Sequence, residues 1–230
     1  MLQYLAMKKK KPKISIIIPG HNEAENIGRV LKSIVKVKEL NEILVVADAC
    51  EDDTAGVARK FKGVKVLERK TSSGKGSAMI AGVKATKGDI VMFADADLES
   101  LTPEHVTKVL KPVIEGKAIM SIGLRDRVFG LGAIIPKIYP MYAIGGERAM
   151  TRKFFNNIPK DKNTLDFGIE TVMNYYARYH KLKVAMPVLK DLRQIIKEKK
   201  WGFWHGFVSR LGLMKQVWRT RRIMKHKKDI

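Results

Sequence analysis

The segment MFADADLES, residues 92–100, carries Asp95, Asp97 and Glu99 on alternate positions directly after the apolar run Ile90, Val91, Met92, Phe93. Alternate residues of an extended chain point the same way, so this spacing predicts a buried strand that finishes by aiming three acids at one spot. Carboxylates gathered like this repel one another and raise each other's pKa unless a cation joins them. Two other segments are acidic or polar in the same manner, PGHNEAEN (19–26) and ADACEDD (47–53). A fourth, TSSGKGS (71–77), sets Lys75 between two glycines, where a lysine can approach a phosphate. It is not a P-loop, because the position five before Gly74 is Arg69. A dinucleotide fingerprint fails as well, since Met79 stands where the third glycine should be. Turn chemistry alone makes 71–77 a flexible loop that caps a helix, and the plain alternative for 95–99 is a capping or solvated acidic loop.

Strand-like and helix-like segments alternate along the chain around these residues. ISIII (14–18) is a short β-branched run stopped by Pro19 and Gly20, and EILVVAD (42–48), VKVLE (64–68), DIVMFAD (89–95) and AIMSIGL (118–124) read as further strands. Between them, Asn22 with Glu25 forms a capping-box type of helix start, followed by the face Ile27, Val30, Leu31, Ile34, Val35. Asp53-Thr54 opens a second helix through Phe61, small residues from Ala78 to Ala85 a third, and Pro103 the first turn of a fourth running to Ile114. This alternation predicts an α/β fold with a mostly parallel sheet flanked by helices. In such sheets ligands bind beyond the carboxyl ends of the strands, so the loops after the first, second and fourth strands converge on one rim.

Composition narrows the possibilities. The chain has 230 residues, 45% hydrophobic and 30% charged, which suits a folded domain with an appendage. A single cysteine, Cys50, excludes a disulfide scaffold and fits a reducing, cytoplasmic compartment. Neither a signal peptide nor a spanning segment is expected: 131–146 is short and broken by Pro136, Lys137 and Pro140. The net charge of +22 calls for an anionic partner. It concentrates at the ends, with five lysines in 8–13 and thirteen Lys/Arg against three acids in 190–230. The expected organisation is therefore a basic arm (1–13), a catalytic domain (14–190) and a basic, aromatic helical extension (191–230).

The segments IIIPGHNEAENIGRVLKSI, ILVVADACEDDTAGVA, GKGSAMIAGVKATKGDIVMFADADL and GGERAMTRKFF together resemble the family 2 glycosyltransferases of GT-A fold, over roughly residues 14–180. The resemblance implies transfer of a sugar from a nucleotide diphosphate sugar, usually with a divalent metal and inversion. It implies that Pro19, His21, Asn22 and Glu23 hold nucleobase and ribose, that Asp48 contacts the base, and that Lys75 lies near the donor. Ala47-Asp48 replaces the two acids of many members, which leaves the base open between uridine and guanosine. Asp95 and Asp97 correspond to the DXD pair, with Asp97 the direct metal ligand and Asp95 nearer the ribose or a metal-bound water. Glu99 falls where the dolichyl-phosphate mannosyltransferase branch supplies another ligand. Oxygen-only ligands suit Mg²⁺ or Mn²⁺ rather than structural zinc, and such an ion neutralises a departing diphosphate.

Downstream, Arg125, Arg127, Arg148 and Arg152 fall in the stretch where that family builds its acceptor site, and arginine forks match phosphate. Gly145 and Gly146 allow close backbone approach to the sugar, and Asp166 or Glu170, four apart on one helical face, can take a proton from an attacking hydroxyl. Trp201, Trp204, Val208, Leu211, Met214 and Trp218 recur at helical spacing beside a basic face, which reads as a helix on anionic lipid or equally as one docked on the domain; His205 lies within it. These features favour polyprenyl phosphate as acceptor, at peripheral contact with the cytoplasmic membrane face. The GGERAM and FGIET segments also resemble enzymes that glycosylate small phosphorylated acids such as phosphoglycerate, some of which retain configuration. A nucleic-acid-binding protein accounts for the charge but not for the acidic rim, and no nucleic-acid motif is present. A nucleotidyltransferase would want a basic glycine-rich loop where PGHNEAEN is acidic.

Overall fold

Strand β1 (Ile14–Gly20) is the axis of the computed structural model, which describes residues 11–125, 145–160 and 168–193. Its isoleucines are buried on both faces, the near-continuous apolar reading of a parallel strand covered on two sides. β1 pairs in parallel with β2 (Glu42–Asp48) and with β4 (Ile90–Phe93), and β2 pairs in parallel with β3 (Val64–Arg69). Beyond β4 come β7 (Arg148–Thr151), β5 (Met120–Ile122) and β8 (Val184–Ala185), giving a seven-stranded sheet in the order β3-β2-β1-β4-β7-β5-β8. Among the described strands only β7 runs antiparallel to its neighbours. β6 (Leu124–Arg125) and β9 (Val188–Leu189) form a separate two-stranded ladder.

Helices cover both faces. Ile14, Ile16, Ile18, Val45, Ile90 and Met92 face α1 (Ala24–Ile34), α2 (Thr54–Arg59) and α4 (Pro103–Ile114). Ile17, Leu44, Val46, Val91 and Phe93 face α3 (Lys75–Ala85), α5 (Arg152–Asn157) and α6 (Gly168–Tyr179). The expected stripe of α1 is buried at Ile27, Val30, Leu31 and Ile34, each such side chain contributing about 1.5–3 kcal/mol. Val35, counted in that stripe from its spacing, is the exposed C-cap instead.

Several boundaries differ from the sequence reading for local reasons. β1 continues through Pro19 and Gly20, which pair with Val46 and Ala47. The carbonyl of Ile17 faces the β4 side, where it accepts the Ala94 N–H, so Pro19 faces that side too; β4 ends there, and the missing N–H costs no ladder bond. Asn22 and Glu25 do not form a capping box. Asn22 has φ +54°, and Asp52, from the loop after β2, accepts the Ala24 N–H at 2.9 Å in their place. The predicted strand 118–124 breaks at Gly123 into β5 and β6. The domain also passes the expected boundary at 190: Leu192 is buried, and the carbonyl of Arg193 accepts the Glu99 N–H at 3.0 Å.

Glu42 ties the start of β2 to both neighbours, accepting from Ser15 Oγ at 2.7 Å, the Lys87 N–H at 2.9 Å and Lys65 Nζ at 2.9 Å. Burial works against its charge, but the Lys65, Lys87 and Ser15 hydrogen bonds prevail and lower its pKa from 4.5 to about 2. With the folded-state value below the unfolded one, the contribution is complete above about pH 4.5 and is lost as pH falls toward 2. Urea unfolding of Glu42→Gln should therefore show a loss of about 1–3 kcal/mol at pH 7 that shrinks at pH 3; a loss independent of pH would contradict this role.

Candidate functional site

The parallel strands β1 to β4 end on one rim, and β7, entering antiparallel, begins there, with Arg148 opposite Phe93. The first two rim loops interlock. Asn22 Oδ1 accepts the Glu51 N–H at 2.8 Å, Thr54 Oγ1 accepts the Glu23 N–H at 2.8 Å, and His21 Nδ1 lies 2.7 Å from the Asp48 carbonyl. Asp48 is buried at the end of β2, with Arg69 Nη1 at 2.6 Å on one oxygen and Ser72 Oγ at 2.6 Å on the other. Arg69 also donates to Ser77 Oγ at 2.8 Å, so loop 70–74 is drawn over the ends of β2 and β3.

α3 starts at Lys75, earlier than the expected Ala78, because Gly74 turns the chain with φ +92°. Lys75 therefore lies in the first helical turn, where Nζ donates to Asp95 Oδ1 at 2.8 Å and to Glu170 Oε1 at 3.0 Å. Arg125 reaches Asp95 Oδ2 at 3.0 Å and grips Glu147 with two bonds, Nε to Oε2 at 2.9 Å and Nη2 to Oε1 at 2.7 Å. At the other end, Arg148 Nη2 lies 3.5 Å from Glu170 Oε2. The result is a chain of alternating charge, Glu147–Arg125–Asp95–Lys75–Glu170–Arg148, drawn from the loop after β4, β6, the start of β7 and the first turns of α3 and α6.

Burial sharpens the electrostatics. For Lys75 burial alone would lower the pKa, yet Asp95 and Glu170 outweigh it and hold it above the ordinary lysine value. For Asp95 burial would raise the pKa, but Lys75 and Arg125 hold the carboxyl well below the usual range. Burial likewise works against Arg125, and Glu147 with Asp95 raises it. Glu147 moves up despite its partner: its side chain is 1% exposed against 9% for Arg125, and the Asp95 charge opposes it.

The three acids that open the sequence reading do not share one face of a strand. β4 ends at Phe93, and Ala96 and Asp97 form a turn. Asp95 meets Lys75 and Arg125, Asp97 is partly buried, and Glu99 is exposed. Among the described residues no three His, Cys, Asp or Glu side chains gather as a metal centre. The cation required beside Asp95 is supplied by the protein itself.

Other expected residues also find different surroundings. Arg148 is fully buried, with Nε on the Gly145 carbonyl at 3.0 Å and Nη1 on Asn174 Oδ1 at 3.3 Å, so it is an internal strut and not an acceptor contact. Arg152 lies at the opposite end of β7, where it binds the carbonyls of Val83 and Gly88 and the Thr86 hydroxyl, closing the C-terminal end of α3 away from the rim. Gly146 serves Asp95: a Cβ there would stand 2.1 Å from Asp95 Oδ1. Glu170 has cations at both oxygens. Arg127, Asp166 and the aromatic stripe with His205 lie outside the described residues. The sequence reading missed Glu147 and Arg69. Glu147 was visible only as an acid wedged between glycine and arginine in GGER.

Residues 15–178 match the family described as Glycosyl transferase family 2. The chain is 37% identical over 118 residues to a dolichol-phosphate mannosyltransferase of Pyrococcus furiosus, covering 49% of this chain and 33% of that protein. It is 26% identical over 180 residues to a glucosyl-3-phosphoglycerate synthase of Mycolicibacterium paratuberculosis, covering 64% of this chain and 55% of the relative. It thus spans between a third and just over half the length of these curated relatives. A crystal structure of the Mycobacterium tuberculosis glucosyl-3-phosphoglycerate synthase with Mn²⁺, uridine diphosphate and glucosyl-3-phosphoglycerate shares the fold at TM-score 0.73 and 23% identity, over 94% of this chain and 81% of that one. With the family match running from β1 to the last turn of α6 and the same architecture in that structure, the chain belongs to glycosyl transferase family 2.

Proposed function

We propose that the protein transfers a sugar from a nucleoside diphosphate sugar to a phosphorylated acceptor. One observation carries the reading within the family: Lys75 and Arg125 converge on Asp95 at the carboxyl-end rim. Two cations fixed there by buried carboxylates form a preorganised pair of hydrogen-bond donors for phosphate oxygens. In this reading the interlocked loops carrying His21, Asn22, Glu23 and Asp48 take the nucleoside, with Pro19 at their base. Lys75 and Asp95 orient the donor, and Arg125, joined to Glu147 of the GGER segment, serves the acceptor side, to which Gly145, Gly146 and Arg127 are also assigned. Glu170 holds Lys75, which leaves the proton-accepting role to Asp166 or, for an ionised phosphate acceptor, to no residue.

The residues fit a hard divalent ion in a limited way. Both Asp95 oxygens already have cationic partners, so Mg²⁺ or Mn²⁺ would rest chiefly on Asp97, with Glu99 further along the same loop. One or two carboxylates completed by phosphate oxygens and water satisfy Mg²⁺. When bound, the ion supplies charge neutralisation for the diphosphate. Thermal unfolding with uridine or guanosine diphosphate should show a rise of about 5–10 °C at a hundredfold excess over Kd. That rise should require Mn²⁺ or Mg²⁺ and be absent in Asp97→Ala; an equal rise without metal would remove Asp97 from this role.

The acceptor has two supported readings. Polyprenyl phosphate is favoured by the 37% identity to the dolichol-phosphate enzyme and by the basic ends of the chain. A small phosphorylated acid is favoured by the synthase relative, whose match covers more of both proteins. Among the described residues no helix is long and apolar enough to cross a membrane. Labelled UDP-glucose and GDP-mannose, offered with undecaprenyl phosphate in detergent or with 3-phosphoglycerate in buffer, distinguish them. Label entering the organic phase supports the lipid, and label on the soluble acid supports the second reading. Label on neither acceptor counts against both.

A further inference from the structure

We infer that Glu147 is a positioning residue of the transfer site, acting through Arg125; this rests on the reading of the rim as a donor and acceptor site. The tetrapeptide Gly145–Arg148 organises the whole charge chain. The Gly145 carbonyl accepts from Arg148 Nε at 3.0 Å, Gly146 leaves the space that Asp95 fills, Glu147 grips Arg125, and Arg148 meets Glu170. Among the described residues, Glu147 pairs with Arg125, whereas Asp95 and Glu170 both pair with Lys75.

Its geometry suits orientation. The Glu147 carbonyl accepts the Gly123 N–H at 2.8 Å, which anchors the acid's backbone to the residue where β5 gives way to β6. Arg125 lies two residues further along that same segment. The two parallel bonds from Nε and Nη2 fix the guanidinium plane, and the same Nη2 then meets Asp95 Oδ2. A single hydrogen bond to Asp95 would leave that plane free to rotate about it. The carboxylate also sets local charge: the six-member chain has three acids and three bases, and neutralising Glu147 gives its rim one net positive charge.

Orientation and charge push two measurable quantities in opposite directions. In Glu147→Gln, uridine diphosphate measured by calorimetry in the presence of Mn²⁺ should bind equally well or severalfold tighter, because the rim gains positive charge. Turnover of the donor that the panel identifies should fall by roughly 100-fold in kcat, the scale of an ångström-size misplacement. A structural defect alone would weaken both together. Arg125→Lys, which keeps the charge but cannot form the two-bonded grip, should show the same loss of kcat, and adding Glu147→Gln to it should cost less than about twofold more. If Glu147→Gln does not fold, Arg125→Lys carries the test: full kcat in that variant overturns the inference. So does a Glu147→Gln protein with unchanged kcat, or one in which binding and kcat fall in parallel. A wild-type protein that neither binds the nucleotide nor turns over any donor overturns the transferase reading, and this inference with it.

Discussion

The rim depends on six charges that neutralise one another in sequence. Asp95 stands at the centre, its two oxygens divided between Lys75 and Arg125, and each of those cations is held from behind by a second acid, Glu170 or Glu147. Burying charges is costly, and the attraction between partners repays that cost only with good geometry. Removing Arg125 takes from the buried Glu147 the cation that holds it, a loss of about 3–5 kcal/mol. The arrangement is therefore better understood as a device for fixed orientation than as a source of stability. Lysine and arginine side chains are long and rotamer-rich, and here their ends are placed before any ligand arrives.

The architecture follows from what this chain must bring together. Lys75 and Glu170 lie ninety-five residues apart, and Arg125 and Asp95 thirty. Parallel strands deliver all their carboxyl ends to one side, so the first turn of α3 and the loop after β4 reach the same rim without long excursions. The antiparallel β7 is the exception that completes the set. Because it runs the other way, its first residue, Arg148, stands where β4 finishes, and Gly146 and Glu147 enter beside Asp95. A parallel strand at that position would have placed Arg152 on the rim and the GGER segment at the far end.

The basic character of the chain and the neutrality of its central network are separate facts. The +22 charge comes largely from lysines and arginines toward the ends and on exposed surfaces, which act over a Debye length on any polyanion. The network discriminates at contact distance, where desolvated partners of fixed geometry select for placement as well as sign. In the proposed function a phosphorylated ligand would meet both, attraction at long range and a preset pair of cations at short range.

By itself the sequence determined the layered α/β plan, because β-branched runs such as ILVV and the helical face of Ile27, Val30, Leu31 and Ile34 obey local periodicities. It also determined the family, through four motifs in order, and it singled out Lys75, Asp95 and Arg125, which the fold brings together at the rim. Only tertiary structure decided what those residues touch. Alternation along 95–99 suggested three acids sharing one ion, but the strand stops at Phe93, and pairing is settled by Lys75, twenty residues upstream, and Arg125, thirty downstream. Arg148 and Arg152 looked alike as acceptor-site forks, and the direction of β7 buried one at the rim and sent the other to the opposite end. Periodicity is a property of neighbours in sequence; charge compensation is a property of neighbours in space, and strand direction converts one into the other.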